Sequence, residues 1–206
     1  MSTPRVAKQE RSEQTRTEIL QTALDLFSTR GFAAVSLRDI ADRVGVNHAM
    51  IRYHFGSKEE LWRESAAYLF ERLEQEIPAP DISAEQAPVE SLKRYIASYV
   101  RYCARHPEHA RLMVQESIIA SDRLKWVSDK FIRPNHARTL KLIEGASLPK
   151  GLAGMDPVML LYMVVAIAQM PYLVTAELQF SHDRDVLTSA AIEAHAEAVV
   201  RFIFRD

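Results

Sequence analysis

The chain of 206 residues is 48% hydrophobic and 26% charged, a composition typical of a globular protein with a sizeable core, which excludes a disordered chain. Its formal net charge of −1 excludes a general attraction to nucleic acid, so any such affinity requires local clusters of Lys and Arg. Cys103 is the one cysteine of the sequence, which excludes an internal disulfide and favours a reducing compartment such as the cytoplasm.

Two stretches bear on secretion and membranes. The first 14 residues lack the apolar core of a secretory signal. Residues 157–176 carry no charge and are long enough to span a bilayer. Gln169 and Pro171 interrupt them, however, and the acids Asp156 and Glu177 flank them in place of Lys or Arg. We therefore predict a buried or interface helix and no membrane partner.

The pattern between the glycines predicts an all-α protein of about nine helices, because apolar residues recur at three- and four-residue steps without strand-like alternation. The first helix is predicted over residues 12–29, with Gly31 as its C-cap. Ser36 and Asp39 have the spacing of a capping box, which begins a short helix that ends at Gly45.

Further helices follow along the chain. Asn47 is predicted to cap a helix that runs to about residue 54, and Ser57, with Glu60 as its capping partner, begins one that runs to Glu76. The Pro-rich stretch 77–88 is the best linker candidate. The remaining helices are predicted over residues 88–105, from Pro107, from Asp122 with an interruption near Pro134, and near residues 156–178 and 184–204.

Residues 36–55 have the spacing of a helix-turn-helix motif. Ala41 is small where the two helices cross, and Gly45 accepts the positive φ of the tight turn. The apolar side chains predicted to anchor the two helices are Ile40, Val44, Val46 and Ile51. Because all of these requirements are met in register, the signal is specific.

The stretch VSLRDIADRVGVNHAMIRYHFGSKEELW, preceded by ALDLFSTRGF, closely resembles the N-terminal DNA-binding domain of TetR-family transcriptional repressors. The resemblance implies a homodimer that binds double-stranded, palindromic operator DNA. It also implies a C-terminal helical domain that binds a small effector and dimerises through its last two helices. The expected parts are a flexible basic arm (1–12), a three-helix helix-turn-helix DNA-binding domain (13–58), a connecting helix (59–76) and an effector-binding and dimerisation domain (77–206).

The second helix of the motif is expected to read DNA with its N-terminal residues. His48 can hydrogen-bond an acceptor such as guanine N7, and Ala49 or Met50 can meet a thymine methyl group. The cap role limits the reach of Asn47. The full set of expected DNA contacts, to bases or to phosphates, is Ser36, Arg38, Asn47, His48, Ala49, Met50, Arg52, Tyr53, His54 and Lys58.

Residues 50–52 read Met-Ile-Arg where the family usually has Thr-Leu-Tyr. This departure weakens the basis for transferring an operator sequence from the family, and Arg52 is a candidate for guanine preference or for phosphate contact. Arg5, Lys8 and Arg11 form a loose basic arm. A groove contact and a solvated terminus are both open for this arm.

The C-terminal half has a candidate effector pocket that mixes aromatic bulk with polar tips, as ligand sites between helices do. Its candidate residues are Tyr99, Tyr102, Cys103, Met113, Glu116, Trp126, Phe131, Met163 and Tyr172. For each of them, simple core packing is the alternative.

The last helix carries a stripe of small and apolar residues that suits a two-fold helix interface. The stripe consists of Leu187, Ala191, Ala194 and Ala198. The alternative is that the last two helices only complete the core of one subunit.

Other candidate sites are weak. His106 and His109 flank a predicted helix start at Pro107, so we expect a helix cap in place of a metal site. Neither a nucleophile elbow nor a phosphate loop is found, so we expect no enzyme activity and no cofactor. The predicted function is a cytoplasmic, ligand-responsive repressor. An activator, a corepressor-dependent regulator, or an all-α enzyme or scaffold are the alternatives.

Overall fold

A computed structural model describes residues 4–78, 88–152 and 154–205, with side chains from residue 9 onward. All regular structure in these ranges is helical, which confirms the all-α prediction. The helices are α1 (Pro4–Arg30), α2 (Leu37–Val44), α3 (His48–Phe55), α4 (Lys58–Glu76), α5 (Pro88–Arg105), α6 (Pro107–Ile119), α7 (Asp122–Val127), α8 (Arg133–Gly145), α9 (Pro157–Leu173), α10 (Thr175–His182) and α11 (Ser189–Ile203). Most of the predicted linker, residues 79–87, lies outside the described residues.

Helix α1 begins at Pro4, earlier than the predicted start at Ser12. Pro is favoured in a first helical turn, and neither Gly nor Pro follows until the helix ends at Arg30. The Nε2 group of Gln9 donates to Glu13 Oε1 one turn ahead at 3.3 Å. From residue 4 onward, the stretch expected as a flexible arm therefore continues α1.

The caps around α2 and α3 lie where the sequence predicted them. Ser36 Oγ accepts from Asp39 N, and the Asp39 carboxylate accepts from Ser36 N at 2.7 Å, so the capping box is complete. Gly45 has φ +80°, and its N–H donates to Ala41 O at 2.9 Å. Asn47 Oδ1 accepts from Ala49 N at 2.8 Å and caps α3.

The described residues contain more helical segments than the sequence predicted, because two predicted helices are interrupted. A π-helical turn, Ser128–Ile132, joins α7 to α8 just before Pro134. Pro134 lacks the N–H that an α-helical ladder needs, and the wider turn accommodates this. The predicted helix near 156–178 ends at Leu173, and α10 continues at an angle of 62° to α9.

Pro171 inside α9 leaves the carbonyl of Ile167 without its usual helical donor. His195 of α11 supplies a substitute, with Nε2 3.1 Å from Ile167 O. Since a carbonyl only accepts, Nε2 must carry the proton. Nδ1 of the neutral ring then accepts from the Tyr172 hydroxyl at 3.0 Å. This chain of two hydrogen bonds fixes α9 against α11.

Within the described ranges, no single helix has the length and apolar character to cross a bilayer. Only α9 and α10 taken together do, and they are bent relative to each other.

The chain divides into two compact units. The N-terminal unit comprises residues 1–71 and 111–124, and the C-terminal unit comprises residues 72–110 and 125–206. Residues 111–124, which the sequence analysis grouped with the C-terminal domain, thus pack with α1 to α4. The core of the N-terminal unit includes Ile19, Leu24, Phe27, Ile40, Ile51, Leu61 and Trp62, and that of the C-terminal unit is built from α5, α8, α9 and α11.

Candidate nucleic-acid interface

The buried side of α3 fixes the helix in the N-terminal unit. Ile51 is fully buried and Phe55, one turn later, is nearly so. The guanidinium of Arg16 lies 5.4 Å from the centroid of the Phe55 ring and forms an ion pair with Glu64. Sequence reasoning missed this role of Arg16, which lies 39 positions before its aromatic partner and carries no local signal.

The opposite side of α3 is free to meet a ligand. Ala49 and Arg52 are exposed, and Met50 and Tyr53 are 41% and 86% exposed. A tyrosine ring held this far into water, beside a methionine and an arginine, is typical of an interaction surface. His48 is half-buried at the start of the helix. This exposed set begins at the N-terminal end of α3, the end that a recognition helix presents to base edges.

His54 is the second histidine of α3 and is also half-buried. Its ring packs edge-on against Tyr53, with centroids 5.4 Å apart. The two side chains expected at phosphate therefore form one aromatic pair.

The start of α2 carries the other expected phosphate contacts. Ser36 and Arg38 are exposed there. The hydrogen bonds from Ser36 lower the pKa of the Asp39 carboxyl, which keeps it ionised. Because that carboxylate accepts the Ser36 N–H, this N–H is engaged within the helix start. Arg38 is an exposed cation at this place.

Lys58, which the sequence predicts to contact phosphate, has partners within the protein. Its ammonium donates to the carbonyls of Phe32 and Val35, both at 2.8 Å, and lies 4.2 Å from the Phe32 ring centroid. Burial, and next the charge of Arg123, lowers the pKa of Lys58. In this structure Lys58 therefore holds the loop before Ser36 in place.

Three of the nine candidate pocket residues come together in the core of the C-terminal unit. Tyr99 accepts a hydrogen bond from Gln169 Nε2 at 2.6 Å. Burial raises the pKa of the Cys103 thiol to about 12, and that of Tyr172 also to about 12. Cys103 and Tyr172 are buried in one hydrophobic core, and Tyr99 packs against that core.

The other six candidates lie elsewhere. Tyr102 is buried and shares a hydrogen bond with His109 Nδ1 at 3.1 Å. Trp126 and Phe131 pack edge-on against each other at 5.5 Å, and Met163 is exposed. Met113 and Glu116 belong to the N-terminal unit, where Glu116 is 2% exposed and paired with Arg123. Tyr99, Cys103 and Tyr172 are therefore the candidates that share the core of the C-terminal unit.

The predicted interface residues lie in the C-terminal part of the chain, where many apolar side chains are exposed. Leu187, Ala194 and Ala198 are exposed, and Ala191 is half-buried. Helices α9, α10 and α11 and the loop before α11 also carry large apolar side chains that are exposed. They are Val158, Met159, Tyr162, Met163, Met170, Phe180, Leu187 and Phe202. These eight, with the three alanines, are called the apolar surface below.

The candidate metal pair gains no support from geometry. His106 Nε2 lies 2.8 Å from Glu76 Oε1, and its Nδ1 lies 3.5 Å from Glu108 Oε1. Glu108 is also paired with Arg72. In the part of the chain that is described, no group of three or more His, Cys, Asp or Glu side chains is arranged to hold a metal ion.

Comparison with known families covers almost the whole chain. Residues 19–64 match the sequence model described as bacterial regulatory proteins, tetR family. Residues 69–206 match the model described as the YcdC-like protein, C-terminal region. The first match contains α2, the turn and α3, and the second covers the C-terminal unit.

Curated relatives are regulators. The chain is 37% identical over 93 residues to the HTH-type transcriptional repressor Rv3405c of Mycobacterium tuberculosis, covering 45% of this chain and 46% of that protein. It is 30% identical over 152 residues to the HTH-type transcriptional regulator RutR of Escherichia coli, covering 73% and 70%. The chain therefore spans about half the length of Rv3405c and 70% of the length of RutR.

Solved structures share the fold. HlyIIR, a hemolysin II transcriptional regulator, superposes with a TM-score of 0.70 at 20% identity, over 95% of this chain and 99% of that one. AibR in complex with isovaleryl coenzyme A and operator DNA has a TM-score of 0.72 at 18% identity, over 92% and 98%. At these identities the likeness concerns the fold.

Proposed function

This chain belongs to the tetR family of bacterial regulatory proteins, and from that premise we propose that it is a repressor that binds double-stranded operator DNA as a homodimer. The observation that supports DNA binding best is the outward side of α3, with Arg52 and Tyr53 exposed opposite a buried Ile51. Repression is favoured over activation because the relatives Rv3405c and NicS are both named repressors.

The proposed DNA contacts divide into base and backbone groups. His48, Ala49, Met50 and Arg52 face base edges, since they begin the helix that enters the major groove. The groups proposed for phosphate are Ser36, Arg38, Tyr53 and His54. Asn47 acts as the cap of α3, and Lys58 acts through the loop that its ammonium holds.

The apolar surface is the proposed dimer interface. Contiguous apolar side chains on a surface mark an interaction site, and a two-fold axis lets the same surface serve both subunits. Two recognition helices can then meet half-sites about 34–36 Å apart. The dimer therefore defines the spacing of a palindromic operator.

The effector site is proposed around Tyr99, Cys103 and Tyr172, beside Gln169. This cluster combines apolar bulk with hydroxyl, thiol and amide groups, the character of small-molecule sites between helices. An effector that binds better to a form of the dimer with another helix separation lowers operator affinity by its differential binding free energy. AibR, a protein of the same fold, was solved with both an acyl coenzyme A and operator DNA. As a DNA-binding regulator, the protein is proposed to act in the cytoplasm.

Selection of operators from a random DNA pool tests the proposal. We expect a palindromic site whose affinity falls steeply as salt is raised, because phosphate contacts release counterions. Failure to enrich any sequence, or enrichment without salt dependence, would refute DNA-directed repression.

Arg52→Ala, measured on a panel of such operators, separates base reading from phosphate contact. We expect a loss of about 1–3 kcal/mol and relaxed preference at one base position, since a bidentate guanine contact would be lost. The matched control is Arg184→Ala, an exposed arginine between α10 and α11. A uniform loss across operators, with base preference unchanged, would leave Arg52 a phosphate contact only.

A further inference from the structure

The end of α6 supplies a missing partner to the end of α1. The Nε2 group of Gln115 donates to the carbonyl of Ser28 at 2.7 Å. Ser28 lies in the last turn of α1, where carbonyls have no donor within the helix. The segment 111–124 is therefore tied to the N-terminal unit by a side-chain cap, in addition to its apolar packing.

This segment is also stiffened internally. Ser121 Oγ donates to the Glu116 carboxylate and accepts from Leu124 N at 3.0 Å, so it joins the end of α6 to the start of α7. Arg123 Nη2 lies 3.2 Å from Glu116 Oε2, on a carboxylate that is almost fully buried. A buried carboxylate requires such a cation and hydrogen bond to remain charged.

Arg123 reaches from this segment to the loop before α2. Its Cζ atom lies 3.8 Å from the centroid of the Phe32 ring and 5.5 Å from that of Trp62. Its Nη1 lies 3.7 Å from Glu59 Oε2 at the start of α4. A planar guanidinium stacked on an aromatic ring, with carboxylates beside it, has a defined position and orientation.

Phe32 is the residue through which this contact acts on the helix-turn-helix. Its carbonyl, with that of Val35, accepts from Lys58, and its ring stacks on Phe27 at 5.7 Å. Ser36, the cap of α2, directly follows Val35 in the chain. The loop between α1 and α2, which contains Phe32 and is called the Phe32 loop below, therefore sets the position of α2. Because the tight turn at Gly45 connects α2 to α3, the position of α3 depends on the same loop.

We propose that Arg123 is a positioning residue for DNA recognition, which holds the Phe32 loop, and with it α2 and α3, in the place that operator binding needs. This inference rests on the proposed function and extends it to a residue outside the helix-turn-helix match. Arg123 touches no DNA in this scheme and acts through Phe32, Glu116 and Glu59.

The test compares operator and unrelated DNA, with the double variant Arg123→Met/Glu116→Gln as the main probe. The second substitution removes the carboxylate charge that would otherwise be left buried and alone. The operator is one selected by the wild-type protein from a random pool. We expect operator affinity to fall about tenfold or more. Affinity for unrelated DNA and the salt slope should stay within about twofold, since the phosphate contacts of each subunit remain.

Two further variants complete the comparison. Arg123→Lys keeps a charge near Glu116 but loses the planar stack on Phe32, so we expect an intermediate operator affinity. Lys125→Met removes an exposed cation two residues away, which is paired only with Asp129 in the described contacts, and should bind as the wild type does. Thermal melting and far-UV circular dichroism of each variant report folding.

The outcomes separate this inference from the proposed function. If the wild type selects no operator, the proposed function fails and the inference fails with it. If the wild type binds and the double variant binds equally well, only the role of Arg123 is refuted. A parallel loss of operator affinity, of affinity for unrelated DNA and of melting temperature would make Arg123 a structural residue and would also overturn the inference.

Discussion

Two histidines of the C-terminal unit show how burial decides protonation. His195 bridges Ile167 O and the Tyr172 hydroxyl, a geometry that only the neutral ring satisfies at both nitrogens. Burial accordingly lowers the pKa of His195. His109 is more deeply buried, and burial, followed by the charge of Arg72, lowers its pKa to about 3. Both residues are expected to be neutral at physiological pH.

His195→Ala should destabilise the protein. The substitution leaves the Ile167 carbonyl and the Tyr172 hydroxyl without their partner, and a buried group left unsatisfied costs about 1–3 kcal/mol. Urea unfolding measures the change in the free energy of unfolding. His182→Ala, at the exposed end of α10, is the matched control and should stay within about 0.5 kcal/mol of the wild type. Equal effects of the two substitutions would contradict the bridging role.

His109 should make stability depend on pH. The folded pKa of about 3 lies below the ordinary value of 6.5, so the unfolded chain takes up the proton first. The contribution of His109 to the free energy of unfolding is complete above about pH 6.5 and is lost as pH falls toward 3, by at most about 1.4 kcal/mol per pH unit. His109→Asn should flatten the pH dependence of the free energy of unfolding, measured by urea titration between pH 7 and 4. If the free energy of unfolding had the same pH dependence in the variant and the wild type, the role of His109 would be disproved.

Among the elements, the turn between α2 and α3 requires a left-handed backbone at Gly45. The backbone of Gly45 has φ +80°, which is strained for any residue with a Cβ. There is nevertheless space for a side chain, because a Cβ added at this position would meet no atom within 4 Å. The cost of a side chain at this position is therefore backbone strain alone. The neighbouring caps, Ser36 and Asn47, are local devices that any residue with a suitable acceptor can fill.

Gly45→Ala should destabilise the N-terminal unit by about 1–2 kcal/mol, the cost of a left-handed backbone for a residue with a Cβ. Thermal or urea unfolding checks the value. Gly151→Ala is the control, because that glycine has open space and no positive φ. A Gly45→Ala variant as stable as the wild type would mean that the turn tolerates another conformation.

At the scale of the whole molecule, the apolar surface of α9, α10 and α11 is the feature that one subunit leaves unexplained. Phe180 and Phe202 are 87% and 74% exposed, values at which a phenylalanine gains little from burial within its own subunit. In the dimer proposed above, a second copy of the chain would cover such side chains and would also set the distance between two recognition helices.

Met170→Glu/Phe202→Glu should convert the proposed dimer to monomers, because two charges per subunit would be buried without partners. Sedimentation equilibrium measures the mass, and operator affinity should fall with it, since half-sites would bind independently. Ile118→Glu, an equally exposed apolar site on the N-terminal unit, is the control and should remain dimeric. A monomeric wild type, or a dimeric double variant, would exclude this interface.

The sequence by itself determined most of the helices and the caps of α2 and α3, and with them the helix-turn-helix. Each cap or turn joins residues at most four or five positions apart, as in Ser36 with Asp39 and Gly45 with Ala41. Interactions of this range follow from local stereochemistry, so their residue types and spacing are visible in a single chain. The sequence also predicts which side of α3 is exposed, because the 3.6-residue helical period places the other side chains away from the buried Ile51.

The tertiary structure alone decided the partners that lie far apart in the chain. Lys58 is held by carbonyls 23 and 26 positions away, and Glu116 joins the N-terminal unit through Arg123. His195 replaces a donor that Pro171 removed from another helix. No local pattern selects such partners, because many exposed and buried positions have suitable residue types. Packing of the helices, which is driven by burial of their apolar sides, brings one particular pair within reach.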